Sequence, residues 1–65
     1  MEILVNGDQQ QLANGATVQQ LLEELQLGGR IAVELNGEII PKASFTETAL
    51  QDGDRLEIVR AIGGG

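Results

Sequence analysis

Thr17-Val18-Gln19-Gln20-Leu21-Leu22-Glu23-Glu24-Leu25 is the stretch on which the fold turns. Thr17 followed by Gln20 is a capping box: hydroxyl and side-chain amide each satisfy a backbone N–H that a helix start leaves free. Val18, Leu21, Leu22 and Leu25 stand at i, i+3, i+4 and i+7. They form one apolar stripe, with Gln19, Glu23 and Glu24 turned to water. Gly28-Gly29 then reads as the helix stop, through a left-handed C-cap. One helix with one stripe needs one sheet face to cover it, which is a two-layer α+β domain.

Outward from the helix the chain reads as strands. Met1 to Val5 alternates, with Met1, Ile3 and Val5 on one face, and Asn6-Gly7 is a strong hairpin signal. Asp8 to Ala13 returns as a polar strand whose apolar contribution is Leu12, and Asn14-Gly15 closes the unit. Beyond the helix, Ile31 to Leu35 turns Ile31, Val33 and Leu35 inward and Ala32 and Glu34 outward. Asn36-Gly37 leads into Glu38-Ile39-Ile40, a short strand limited by Pro41 and suited to an edge. Lys42 to Leu50 has no clean period, and Phe45 and Leu50 are expected to plug one end of the core. Asp52-Gly53-Asp54 is a tight turn rather than a calcium loop, since the remaining ligands and the distal glutamate are missing. Arg55 to Arg60 is the last strand, with Leu56 and Ile58 inward and Glu57, Val59 and Ala61 outward. The order is β-β-α-β-β-β. The first and last strands are the most apolar, so they are read as parallel central neighbours.

Composition narrows the function. Sixty-five residues allow one small core. A net charge of −6 with four basic side chains disfavours nucleic acid and anionic membranes. A basic protein partner suits this surface better. No apolar run is long enough to span a membrane and no basic leader precedes Glu2, so a cytoplasmic protein is expected. There is no cysteine and no histidine. That removes the thiolate nucleophile, the usual acid–base residue and the commonest metal ligands. Autonomous catalysis and a metal site are not expected; the chain reads as something other proteins act upon.

The end of the chain then gains meaning. Ala61-Ile62-Gly63-Gly64-Gly65 follows the last strand, and the three glycines have no side chain to bury. Residues 1–62 are read as the folded domain and 63–65 as a flexible tail. The start Met1-Glu2-Ile3-Leu4-Val5-Asn6-Gly7 and Gly15-Ala16-Thr17-Val18 before Leu21-Leu22 carry a resemblance. So do Ala32 to Pro41, Gln51 to Arg55, and the closing Ala61 to Gly65. In that order and spacing, over the full length, the chain resembles the ThiS family of sulfur carriers in thiamine biosynthesis.

The resemblance implies a ubiquitin-like β-grasp fold, a mixed sheet of four to five strands with one helix across one face. It also implies that the chain is a carrier and not an enzyme. A ThiF-type adenylating enzyme uses ATP to activate the Gly65 carboxylate. A cysteine desulfurase or related donor supplies sulfur, leaving a thiocarboxylate (1-thioglycine) that thiazole synthase consumes. No cofactor is bound by the chain itself. The residues fit this chemistry. An ordinary α-carboxyl has a pKa of about 3.3–3.7, so it is ionised and can attack the α-phosphate of ATP. Gly63 and Gly64 can pass a narrow channel without Cβ clashes, and Ala61 to Gly65 reaches roughly 15–18 Å when extended.

Partner docking is expected on the sheet face that the helix leaves open. Leu4, Val59 and Ala61 are read as an apolar patch beside the tail, rimmed by Glu2, Glu34 and Glu57. The chain is expected to be a monomer on its own. Three other readings share the fold: the small subunit of molybdopterin synthase, an isopeptide-forming protein modifier, and a noncovalent β-grasp adaptor. Members of the first are usually longer. Lysine-linked conjugates would reveal the second, and failure to react with ATP and the adenylating enzyme would reveal the third.

Overall fold

A computed structural model describes residues 1–60 of the chain. The strands are β1 (Glu2–Val5), β2 (Asp8–Gln11), β3 (Ile31–Leu35), β4 (Glu38–Ile40) and β5 (Arg55–Arg60). They form one five-stranded sheet in the order β2-β1-β5-β3-β4, and α1 (Val18–Glu24) supplies the helix. β5 lies at the centre, parallel to β1 and antiparallel to β3. The expected mixed sheet with two apolar central strands is therefore the observed one.

The tight turns follow from their asparagines. Asn6-Gly7 and Asn36-Gly37 take positive φ at both residues, 50° and 87° in the first and 51° and 90° in the second. That geometry matches the right-handed twist of the strands it joins. Thr17 caps α1 as expected: its hydroxyl accepts from the Gln20 N–H at 3.2 Å, and Gln20 Oε1 accepts from the Thr17 N–H at 2.9 Å.

The other end of the helix differs from the sequence reading. Leu25 is the C-cap and Gln26, not a glycine, takes the left-handed conformation with φ of 58°. The Gln26 N–H donates to Glu23 O at 3.1 Å and the Leu27 N–H to Leu22 O at 2.8 Å, the two bonds of a Schellman motif. Leu27 packs against the core just after these bonds. The stop therefore comes before Gly28-Gly29.

The core lies between the helix and one face of the sheet. Val18 and Val33 are fully buried, and Ile3, Leu21 and Leu56 nearly so. Phe45 and Leu50 join this core, each 3% exposed. Lys42–Ser44 is a single 3-10 turn. After it the chain is laced to the helix start, with the Val18 N–H donating to Thr48 O at 2.9 Å and the Leu50 N–H to Ala16 O at 2.8 Å. These backbone bonds order a segment whose sequence has no period.

Candidate functional site

β5 carries the chain toward its terminus, and two turn asparagines hold it. Asn6 Nδ2 donates to Ile58 O at 3.0 Å while Asn6 Oδ1 accepts from the Ile58 N–H at 2.7 Å. The side chain thus continues the ladder past the end of β1. On the other flank Asn36 Oδ1 accepts from the Arg55 N–H at 3.0 Å, and the Asn36 N–H donates to Arg55 O at 2.8 Å. Asp54 Oδ1 accepts from Asn36 Nδ2 at 3.0 Å, and Asp54 Oδ2 from the Gln51 N–H at 2.8 Å. Asp52 Oδ1 accepts from the Glu2 N–H at 2.7 Å. The aspartates of this turn thus hold the entry to β5. These side-chain clamps were not anticipated from the sequence, because their partners lie far away along the chain.

The helix covers one face of the sheet, and the opposite face is open. Alternation places Glu2 and Leu4 of β1 there, with Arg55, Glu57 and Val59 of β5, Ala32 and Glu34 of β3, and Ile39 of β4. Strand register then sorts these residues into groups. Ala32 stands directly opposite Val59, Glu34 opposite Glu57, and Ile39 opposite Glu34. Leu4 is paired with Arg55, not with Val59. Val59 lies four residues farther along β5, about 13 Å at the rise of a strand.

The single patch expected from Leu4 and Val59 is therefore two separate regions. Leu4 is half-buried between Gln9 and Arg55, and beside it Glu2 Oε2 accepts from Gln11 Nε2 at 3.1 Å. At the other end Val59 (58% exposed) and Ile39 (75% exposed) flank Ala32, close to where β5 ends. Ile39 was not read as a site residue. Its signal was present: Ile39 and Ile40 are adjacent in a strand, so one of them must face outward. Ala61, Gly63, Gly64 and Gly65, expected in docking, threading and reaction, lie outside the described residues.

Glu34 and Glu57 are like charges directly opposite one another, an arrangement that costs a sheet stability. Arg55 lines the same shallow depression, with Asn36 and Gly37. Two carboxylates at the middle of an open face, next to exposed aliphatic side chains, can receive a cationic partner surface. Among the described residues, no group of side chains could hold a metal ion. No helix among them is long and apolar enough to cross a membrane.

Comparison with known proteins places this geometry in context. The model of the ThiS family matches residues 3–65. The chain is 38% identical to the sulfur carrier protein ThiS of Escherichia coli over 66 residues, with all of both chains covered. It is 47% identical to a thiazole synthase of Paramagnetospirillum magneticum, again over its own full length. It spans 20% of that relative's length. The crystal structure of the thiamine biosynthesis protein ThiS from Geobacter metallireducens superposes with a TM-score of 0.86 at 35% identity, covering both chains completely.

Proposed function

This chain belongs to the ThiS family of sulfur carriers for thiamine biosynthesis, and from that premise we propose that its terminal carboxylate is the sulfur-carrying group. A Gly65 oxygen attacks the α-phosphate of ATP on a ThiF-type enzyme, and pyrophosphate leaves. The acyl-adenylate has a good leaving group where the carboxylate had none, so one difficult exchange becomes two easier ones. A sulfur nucleophile, drawn from a cysteine desulfurase or a related donor, then displaces AMP. Hydrosulfide leaves the thiocarboxylate directly; a persulfide leaves an acyl disulfide that a thiol must cleave. Thiazole synthase takes the sulfur from the carrier. The chain is a co-substrate in these steps, which we place in the cytoplasm.

The observation that carries this reading is the full-length match to sulfur carriers, which includes the terminal glycines. The absence of cysteine and histidine from the sequence supports it, because the chain has no other group suited to carrying sulfur. Two thiazole synthases contain a stretch similar to the whole of this chain, which supports thiazole synthase as the acceptor. For docking we assign the open face, with Val59, Ala32 and Ile39 as its apolar centre and Glu34 and Glu57 as its acidic element. Burying one such aliphatic side chain contributes about 1.5–3 kcal/mol before ordering costs. Leu4 and Glu2 belong to a separate, outer part of the face.

Intact-protein mass spectrometry of the carrier from cells tests the reaction. The expected species has one oxygen replaced by sulfur, localised to the terminal residue by fragmentation. Material that never acquires sulfur when incubated with ATP, the adenylating enzyme and a sulfur donor would rule the reading out.

A further inference from the structure

The root of the tail has a second surface, on the helix side of the sheet. Leu22, Leu27, Ile31 and Phe45 line a cleft of about 170 Å3, with Gly28 and Gly29 adding no side chains and Lys42 at its edge. Small-molecule sites are larger, roughly 300–1,000 Å3. This cleft has room for about one apolar side chain.

Its charge is the reverse of the rest of the protein. The sequence has ten acids and four cations, and three of those cations meet here. Lys42 lines the cleft. Arg30 directly precedes Ile31 in the chain. Arg60 is the register partner of Ile31 and has the same strand parity as Leu56 and Ile58, so it stands on the helix side. Directly opposed residues of an antiparallel pair have Cβ atoms about 4.5–5.5 Å apart, so Arg60 borders Ile31. The nearest acid on the helix side, Glu23, accepts the Gln19 amide at 3.4 Å.

We propose that this cleft docks an acidic segment of a partner protein, seating one of its apolar side chains between Lys42 and Arg60. A packing gap alone would not say what covers it; the local reversal of sign on a chain of net charge −6 does. Three cations on so acidic a protein are too few for a phosphate polymer or an anionic bilayer, whose affinity rises with each phosphate neutralised. A short acidic peptide segment needs only this local match. Together with the acidic open face, the cleft gives the two sides of the tail root opposite charge, so a partner that grips both fixes the direction in which the chain leaves β5. The proposal is independent of whether Gly65 carries sulfur.

The test is a titration of the full 15N-labelled chain with the end-blocked peptide Asp-Glu-Leu-Asp-Glu, followed by amide chemical shifts. Saturable shifts are expected at Gln19, Leu27 to Ile31, Lys42 and Arg60, with a Kd near the millimolar range (about 1 mM). Replacing the central leucine of the peptide by alanine should weaken binding several-fold. The double variant Lys42→Glu, Arg60→Glu should weaken it about tenfold. Gly28→Leu should also weaken it, by filling the cleft; nothing lies within 4 Å of a Cβ at Gly28 and its φ is not positive, so this variant keeps the fold. Silence at roughly 5 mM peptide would overturn the proposal. So would shifts centred on Ala32, Glu34 and Val59, equal binding by the alanine peptide, or the same shifts from inorganic phosphate alone.

Discussion

Replacing Gln26 by glycine should make this protein more stable, although no contact is gained. Gln26 is exposed and has φ of 58° immediately after the C-cap of α1. In that well the Cβ of an L-residue crowds the following carbonyl oxygen, at a cost of roughly 1–2 kcal/mol. Glycine escapes the crowding and keeps both backbone bonds of the Schellman motif. Against this stands the freer unfolded chain of the glycine variant, worth roughly 0.4–1 kcal/mol. The balance is a gain of about 0.5–1 kcal/mol, which raises the Tm of so small a domain by roughly 2–8 °C. The glycine pair supplies the control. Gly29 has φ of 82°, so Gly29→Ala should destabilise by about 1 kcal/mol. Gly28 has open space around it and no positive φ, so Gly28→Ala should be neutral or stabilise by up to about 1 kcal/mol. Urea and thermal denaturation followed by far-ultraviolet circular dichroism measures all three. A Gln26→Gly variant that melts below the parent, with Gly28→Ala destabilised, would return the helix stop to the glycine pair and refute the reasoning.

Asn6→Gly preserves the turn but removes both bonds to Ile58, so it should cost about 1–3 kcal/mol and speed hydrogen exchange at the Ile58 amide; unchanged exchange there would contradict the clamp. Val59→Asp and Ile39→Asp should keep the circular dichroism spectrum and lower the rate of pyrophosphate release with the adenylating enzyme about tenfold at limiting carrier, since each buries a charge in the proposed interface. Leu4→Asp, in the other region of the face, should have the smaller effect, and Ile58→Asp should unfold the domain. Equal rates in the Val59 and Ile39 variants and the parent would remove the open face from docking. One residue added after Gly65 should abolish thiocarboxylate formation while leaving the melting temperature unchanged, and normal sulfur loading of that extended chain would disprove chemistry at the terminus.

What the sequence made legible, and what it did not, divides by the distance over which each feature is determined. The capping box of Thr17 and Gln20, the stripe of α1 and the Asn-Gly turns are local, and each is found where its residues place it. The turn at Asn36-Gly37 even sets the β3–β4 register, because a two-residue loop leaves one pairing. The helix stop was misread although it too is local. A glycine pair is the usual mark of a left-handed cap, and Gln26 has no such mark; its strain is offset by the Schellman bonds and by Leu27 packing on the core. The apolar patch failed for another reason. Alternation correctly gave the outward faces of Leu4 and Val59, but faces do not fix stagger. β1 and β5 are parallel and joined by no turn, and their stagger rests on the Leu4 N–H to Asp54 O and the Asn6 N–H to Leu56 O, at 3.0 and 2.9 Å. Nothing in the intervening sequence encodes those bonds. The same holds for Asn6, a turn residue by its φ and a clamp on Ile58 by a contact 52 positions away. The surface around the tail root is therefore built from pairings that only the folded chain reveals. It joins Ile31 to Arg60 on the helix side and Ala32 to Val59 on the open side, so a single register decides which charges and which aliphatic side chains a partner meets.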